Sequence, residues 1–329
     1  MVSLNGSAIP HQMNFTRRDL VRSLPVAVSA CLLTQGSKAD SSPSVPAVHF
    51  PIEARARLAV TSWAFRSYLE SPTNQARKHN FRRMDMKEFP AFVAEQFGVR
   101  NINPLGAHFA SADDSYLASF RQAVNKAGSH VVDLGLGGRY FYDPDPAAVK
   151  AAVDYGRKWI DIAVKIGSPS VRQHLELHPG QKPKVAIAAE SLGRLADHAA
   201  KHNIVVNLEN DNARAEDPFV LVAVIEKVNS RYLRALPDFG NSLIGHDREY
   251  NERAVKAMLG HAWNMCHVKD VVEREKGGGG LEKVDLGKMF DLAKQSSFLG
   301  YYSMEYEIDA GDPIAGTQKL VERSLQYLG

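Results

Sequence analysis

Short apolar runs alternate with amphipathic stretches of helical length from Leu58 to the end of the chain. Each run is long enough for one buried strand, and each amphipathic stretch repeats its apolar positions with the period of a helix lying on a sheet. The runs cover residues 58–63, 101–105, 131–136, 170–174, 204–209, 233–238, 264–269 and 301–307. The helical stretches cover residues 86–97, 116–127, 146–166, 184–202, 218–228, 249–261, 286–296 and 313–328. This alternation predicts a parallel sheet covered by helices.

Eight parallel strand–helix units within about 270 residues are the usual content of a closed (β/α)8 barrel, or TIM barrel. We therefore predict an α/β protein with a single barrel domain over residues 58–329. An open, doubly wound sheet is the alternative arrangement of the same units. No G-x-G-x-x-G motif follows the first strand, which argues against the dinucleotide-binding version of that alternative.

Residues 1–39 have the features of a cleavable signal peptide. Arg17 and Arg18 form a twin-arginine pair, and the apolar stretch after them is too short to span a bilayer. We expect export by the twin-arginine route to the periplasm. Cleavage after residue 39 gives a free protein, whereas cleavage before Cys31 leaves that cysteine as a lipid anchor. Residues 40–57, rich in serine and proline, are expected to form a flexible lead-in to the barrel.

The charge balance of the chain disfavours a nucleic-acid partner. The formal net charge is +3, and residues 1–39 carry all of this excess, so basic and acidic residues are equal in number in the rest of the chain. A protein that binds nucleic acid normally carries a basic stripe or patch. The two cysteines are Cys31 and Cys266, and loss of the first with the leader would leave the domain without a disulfide.

The last four predicted strands each end in a residue that can bind a cation. These residues are Glu209, Asp238, His267 and Glu305. In a parallel barrel the carboxyl ends of all strands meet at one mouth, where the active sites of this fold lie. Three carboxylates and one imidazole suit Mn²⁺ or Mg²⁺, with Co²⁺ or Zn²⁺ as substitutes. The sequence therefore predicts one divalent metal ion at the mouth.

Four motifs around these residues resemble the xylose isomerase-like TIM barrel superfamily, the sugar phosphate isomerase and epimerase family. The motifs are Leu208-Glu209-Asn210, Pro237-Asp238-Phe239-Gly240-Asn241, His267-Val268-Lys269-Asp270 and Met304-Glu305-Tyr306-Glu307. The resemblance covers the chain from about Leu58 to the C-terminus. It implies that the four strand-end residues are the metal ligands. It also implies that the two glutamates, Glu209 and Glu305, act as catalytic acid and base.

Such a site suits removal of a proton from a carbon next to a carbonyl group. A metal ion that holds the carbonyl and hydroxyl oxygens stabilises the enediolate, while two carboxylates remove and return the proton. The predicted function is therefore metal-dependent isomerisation or epimerisation of a carbohydrate or polyol. Two alternatives stay open. One is a lyase or dehydratase that eliminates the aglycone from 3-keto-glycosides, and the other is a carbohydrate-binding barrel without catalysis.

Further polar and aromatic side chains near the mouth are predicted to contact the carbohydrate. They are Trp63, His174, Asn241, Lys269 and Asp270. The ketose 3-epimerases of the superfamily carry His three residues after the Asp ligand and Glu six residues after the first Glu ligand. This chain has Asn241 and Ala215 at those positions, which disfavours a simple free-ketose epimerase. The sequence is compatible with a monomer and with a homo-oligomer.

Overall fold

Strand β1 (Leu58–Thr61) pairs with β2 (Asn101–Asn103) on one side and with the last strand, β11 (Tyr301–Met304), on the other. Both pairings are parallel. Pairing of the first strand with the last closes a sheet into a barrel, which excludes the open, doubly wound alternative. The computed structural model describes residues 48–78, 80–274 and 280–328.

The barrel wall consists of two parallel sheets. The five-stranded sheet has the order β3-β2-β1-β11-β8, and the four-stranded sheet has the order β4-β5-β6-β7. The remaining wall strands are β3 (His130–Val131), β4 (Leu134–Arg139), β5 (Ser170–Leu175), β6 (Val205–Glu209), β7 (Leu233–Leu236) and β8 (Met265–Val268). Isolated bridges join the two sheets, from Leu105 to Gly135 at one seam and from Asp238 to His267 at the other. The predicted closed barrel is confirmed.

The third predicted strand, over residues 131–136, is wrong as a single strand. It divides into β3 and β4, which belong to different sheets. The division falls at Asp133, whose buried carboxylate accepts hydrogen bonds from Ser170 Oγ at 2.5 Å and Asn207 Nδ2 at 3.0 Å. A buried carboxylate needs such donors, and here the donors lie on β5 and β6 inside the barrel.

Strand ends also differ from the prediction near the mouth. Strand β1 stops at Thr61 and continues as a 3-10 turn, Ser62–Phe65, and β11 stops at Met304 rather than at residue 307. An antiparallel hairpin of β9 (Val271–Glu273) and β10 (Leu281–Lys283) follows β8 and was not predicted. The polar residues after the strands therefore lie in turns, and the apolar pattern does not predict the conformation of those turns.

Eight α-helices cover the wall in the part of the chain that the structure describes, and their ends lie within three residues of the predicted ones. They are α1 (Phe89–Phe97), α2 (Asp114–Lys126), α3 (Pro146–Ile166), α4 (Val185–His202), α5 (Pro218–Val228), α6 (Arg248–Leu259), α7 (Leu286–Gln295) and α8 (Pro313–Leu328). Helices α3 and α5 begin with proline after an aspartate that caps the helix. Proline fits the first helical turn because its missing N–H has no partner there.

The predicted leader, residues 1–39 with Cys31, and residues 40–47 of the predicted lead-in lie outside the described residues. Residues 48–57 contact the barrel. The Phe50 ring lies edge-on to Tyr301 at 5.7 Å between centroids, and Arg57 donates a hydrogen bond to the Phe298 carbonyl at 2.9 Å. No helix of the described residues is long and apolar enough to cross a membrane.

Candidate metal centre

The four strand-end residues converge at the mouth of the barrel. Glu209 ends β6, Asp238 follows β7 by two residues, His267 lies in β8, and Glu305 directly follows β11. One ligand atom from each side chain lies within 4.8 Å of the others, and all four side chains are buried. The structure thus brings together the complete set that the sequence predicts as metal ligands.

The His267 imidazole is held by different partners at its two nitrogens. Its Nδ1 lies 2.6 Å from Glu209 Oε1 and 3.3 Å from Glu305 Oε2. Its Nε2 lies 2.9 Å from Asn103 Oδ1, while the Asn103 amide nitrogen donates to the Asp133 carbonyl at 3.1 Å. Because Asn103 offers its oxygen, His267 Nε2 carries the proton of that bond. Nδ1 therefore faces the carboxylates, where it donates a hydrogen bond while protonated and would offer its lone pair to a cation once that proton is lost.

Asp238 accepts hydrogen bonds through only one of its carboxylate oxygens. Oδ1 accepts hydrogen bonds from the backbone N–H of Gly240 at 2.8 Å and of Asn241 at 2.6 Å. Oδ2 is buried without a hydrogen bond, and Lys269 Nζ lies 3.4 Å from it. A buried carboxylate oxygen without a hydrogen bond costs stability. This free oxygen, together with the donor types around it, fits a hard divalent cation.

Charged neighbours set the ionisation of the two glutamates. Burial opposes ionisation of Glu209, but Arg172 and His267 hold its pKa down at about 2. Arg172, on β5, forms a buried ion pair with Glu209. Burial also opposes ionisation of Glu305, yet His267 and Lys269 hold its pKa well below the usual range. Both glutamates are therefore carboxylates at neutral pH.

The pKa values of the other two ligands rise. Burial raises the pKa of Asp238 to about 7, against the attraction of Lys269. Burial would lower the pKa of His267, but the Glu209 and Glu305 carboxylates raise it to about 10. The carboxylates of Glu209 and Glu305 face His267, and they stabilise a positive charge placed between them, whether it is a proton on the ring or a cation.

Lys269 links the four-residue cluster to Asn241 and Glu307, and through Glu307 to Trp63. Its ammonium, only 1% exposed, lies 3.1 Å from Glu305 Oε2, donates to Asn241 Oδ1 at 2.8 Å and forms a short hydrogen bond with Glu307. Glu307 accepts a second hydrogen bond, from Trp63 Nε1 at 2.5 Å. Three residues predicted to contact substrate, Trp63, Asn241 and Lys269, thus belong to one network, in which the Lys269 donors already have protein partners.

His174 stands beside the cluster at the end of β5. Its Nδ1 lies 2.9 Å from Glu216 Oε1, which also accepts the Leu175 backbone N–H at 2.7 Å. Its Nε2 lies 3.6 Å from Glu209 Oε2 and 3.9 Å from Asp211 Oδ2. Burial would lower the pKa of His174, but Glu216 raises it to about 9. Glu216 thus orients the ring so that Nε2 faces the cluster.

A cavity of about 330 Å³ opens beside Trp63. Phe81, Tyr306 and Pro313 contribute to its wall. Arg66 covers one part of the Trp63 ring, with its guanidinium 4.9 Å from the ring centroid. The cavity offers an aromatic wall of the kind that contacts sugar rings or other flat groups.

Asp270 differs from the other residues predicted to contact substrate. Its carboxylate pairs with Arg323 of α8 at 2.6 Å, and the contact with substrate stays a prediction.

Sequence reasoning missed Asn103, Asp133 and Glu216 as supports of the site. A signal was present for Asp133, because it is the one polar side chain in the apolar run 131–136.

Solved structures that share this fold include the following three. A xylose isomerase-like TIM barrel protein from Mycobacterium smegmatis in complex with magnesium is 19% identical, with a TM-score of 0.60 over 83% of this chain and 96% of that one. D-allulose 3-epimerase from Methylomonas sp. is 18% identical, with a TM-score of 0.64 over 85% and 100%. The 3-keto-D-glucoside 4-epimerase from E. coli is 15% identical, with a TM-score of 0.57 over 83% and 98%.

Sequence comparison identifies the family. No curated protein sequence matches the chain. A family model described as xylose isomerase-like TIM barrel matches residues 92–328, which covers all wall strands except β1. The chain belongs to the xylose isomerase-like TIM barrel family.

Proposed function

We propose that this protein is a divalent-metal-dependent isomerase or epimerase of a carbohydrate or polyol. The observation that carries the proposal is the buried cluster in which four ligand atoms converge while Asp238 Oδ2 has no hydrogen bond. The residues that would hold the cation are Glu209, Asp238, His267 and Glu305. Mn²⁺ or Mg²⁺ fits this set of donors best.

The bound cation would act as a Lewis acid on the carbonyl and neighbouring hydroxyl oxygens of the sugar. Glu209 and Glu305 are ionised and stand on strands separated by β7 and β8. One of them would remove the proton from the carbon next to the carbonyl. The same glutamate or the other one would then return a proton to the sugar. Return to a neighbouring atom gives isomerisation, and return to the opposite face of the same carbon gives epimerisation.

Other residues of the mouth would orient the substrate over the metal ion. His174 Nε2 faces the cluster and would hydrogen-bond a sugar oxygen, and Glu216 fixes the ring in that orientation. Trp63, fixed by its hydrogen bond to Glu307, would provide an apolar wall. Solved structures of this fold include a D-allulose 3-epimerase and a 3-keto-D-glucoside 4-epimerase, which supports the choice of sugar epimerisation.

The test is exchange of carbon-bound protons in D₂O. The purified chain with Mn²⁺ is incubated with a panel of ketoses and 3-keto-glycosides, and loss of the proton next to the carbonyl is followed by NMR. We expect exchange on at least one substrate class, slowed by a factor of about 10² to 10⁴ in Glu305→Gln, because that range is typical for loss of a catalytic acid or base.

The matched control is Glu190→Gln, which removes an exposed carboxylate paired with Arg194 on α4 and should leave exchange unchanged. A Mn²⁺-loaded wild type that exchanges no proton on any member of the panel would overturn the proposal.

A second candidate reaction, elimination of the aglycone from a 3-keto-glycoside, is favoured by His174 and by the cavity beside Trp63. A glutamate would take the C2 proton next to the keto group, the C1–O bond would break, and His174 would give the leaving oxygen its proton. The cavity of about 330 Å³ would take the aglycone. Release of 4-nitrophenol from its 3-keto-glucoside identifies this reaction, and an inverted sugar with the aglycone still attached identifies the epimerase.

A further inference from the structure

A second group of metal-binding side chains lies on the helical layer, away from the mouth. We propose that Asp161, His198 and His202 form a surface site for Zn²⁺ or a similar transition-metal cation. Asp161 belongs to α3, and the two histidines belong to the last turns of α4, three or more residues before β6 begins. They therefore lie toward the amino-terminal ends of the strands, whereas the cluster of Glu209 and its partners lies at the carboxyl ends.

The three side chains already converge on one point. His198 Nε2 lies 3.0 Å and His202 Nε2 lies 3.6 Å from the same oxygen, Asp161 Oδ1. The centroids of the two imidazole rings are 4.5 Å apart. One ligand atom from each of the three residues lies within 4.8 Å of the others.

The helices hold this arrangement in place. Residues four apart on a helix lie on the same face, so His198 and His202 point to one side of α4 without further constraint. Asp161 approaches from the neighbouring helix α3, so the third ligand comes from a separate element. The three side chains are 22%, 37% and 51% exposed for His198, His202 and Asp161, which leaves room for a water molecule as the fourth ligand of a tetrahedral cation.

The types of ligand distinguish this site from the mouth. Two imidazoles and one carboxylate favour Zn²⁺, Ni²⁺ or Cu²⁺ over Mg²⁺ and Mn²⁺, whereas the mouth has three carboxylates and one imidazole. Asp161 Oδ1 lies between the two imidazole nitrogens, so one cation at this point could bind all three side chains.

The test counts Zn²⁺ ions on the full chain by equilibrium dialysis and elemental mass spectrometry. The solution is kept at about pH 7.5, about one unit above the ordinary pKa of histidine. We expect two ions in the wild type, one in the double variant His198→Ala/His202→Ala, one in Glu209→Gln, and none when the three substitutions are combined.

The matched control is His261→Ala. His261 pairs with one carboxylate, Glu226, at 3.4 Å, and within the described part of the chain it belongs to no group of three or more converging metal-binding side chains. This variant should retain both ions. Equal Zn²⁺ content in the wild type and in the double variant would overturn the proposal.

A thermal measurement separates a real site from loose surface adsorption. Zn²⁺ should raise the melting temperature of Glu209→Gln, because a cation that binds only the folded state stabilises it. The shift should vanish when His198→Ala is added. A shift that persists in that variant would contradict the assignment. The proposal uses no residue of the mouth, so it stands or fails independently of the proposed function.

Discussion

Asn103 determines which nitrogen of His267 faces the carboxylates. It accepts the Nε2 hydrogen bond at 2.9 Å and is itself held by the Asp133 carbonyl. We predict that Asn103→Ala weakens Mn²⁺ binding about 10- to 100-fold, the usual effect of losing such a support. Isothermal titration calorimetry at constant pH measures the change.

The control is Asn101→Ala on the same strand. Asn101 donates to the carbonyls of Ala56 and Leu58 and makes no hydrogen bond with His267. This variant should lose stability while keeping the Mn²⁺ affinity of the wild type. Equal affinity losses in both variants would show that Asn103 acts through general stability and not through His267.

The raised pKa of His267 predicts how metal binding depends on pH. Its carboxylate neighbours raise this pKa to about 10, so the protein without a cation carries a proton on Nδ1 at neutral pH. Binding must release that proton, so the affinity for Mn²⁺ should rise by up to about tenfold per pH unit between about pH 7 and pH 8. Below about pH 7 the rise should be steeper, because Asp238, with a pKa of about 7, must release a proton as well. Calorimetry in buffers of different ionisation enthalpy counts the released protons, and a flat profile would contradict the prediction.

The sequence predicted the four residues of the cluster but not the residues that support them. Four strands that each end in a cation-binding residue can be recognised from the apolar pattern, because barrel geometry brings all strand ends together. The contacts of Asn103 and Glu216 depend on how turns and strands far apart in sequence approach each other. Glu216 lies beside Ala215, where the motif comparison expected a glutamate, and only the turn after β6 shows that its side chain reaches His174.

At the scale of elements, Asp217, the residue directly before helix α5, stabilises the start of that helix. The Asp217 carboxylate accepts the backbone N–H groups of Phe219 and Val220, both at 3.0 Å, and the Tyr250 hydroxyl at 2.6 Å. We predict that Asp217→Ala lowers the free energy of unfolding by about 1 to 2 kcal/mol, as loss of a helix cap does. Urea unfolding followed by circular dichroism measures the change.

Asp113 provides the comparison. It precedes α2 in the same cap position but makes no side-chain cap hydrogen bond. Asp113→Ala should therefore change stability by less than about 0.5 kcal/mol. Equal losses in the two variants would show that the cap hydrogen bonds of Asp217 do not stabilise α5.

The helices were easier to predict than the strands. Their apolar positions recur over nine or more residues, and aspartate followed by proline marks three of their starts. The strands are short, and the buried Asp133 changes the partner of the third strand midway. That change depends on Ser170 and Asn207, which lie on two later strands. The apolar pattern of the six residues 131–136 therefore cannot predict that the strand divides at Asp133.

At the scale of the whole molecule, the cation should stabilise the fold as well as serve the reaction. A ligand that binds only the folded state at about 100 times its Kd adds about 2.7 kcal/mol. We predict that saturating Mn²⁺ raises the melting temperature of the wild type and not that of Glu209→Gln. Differential scanning calorimetry measures both, and an equal shift in the two proteins would assign the effect to other sites.

The seam between the two sheets gives the mouth a further property. Glu209 ends β6 and Asp238 follows β7, both of the four-stranded sheet, whereas His267 lies in β8 and Glu305 follows β11, both of the five-stranded sheet. At the closing edge between β7 and β8, the isolated bridges replace a continuous ladder of hydrogen bonds. A cation held by two residues from each side of this seam would therefore act as a cross-link between the sheets. Hydrogen exchange of the β7 and β8 amides should slow when it binds, and the two sheets should unfold as one cooperative unit only in the loaded protein.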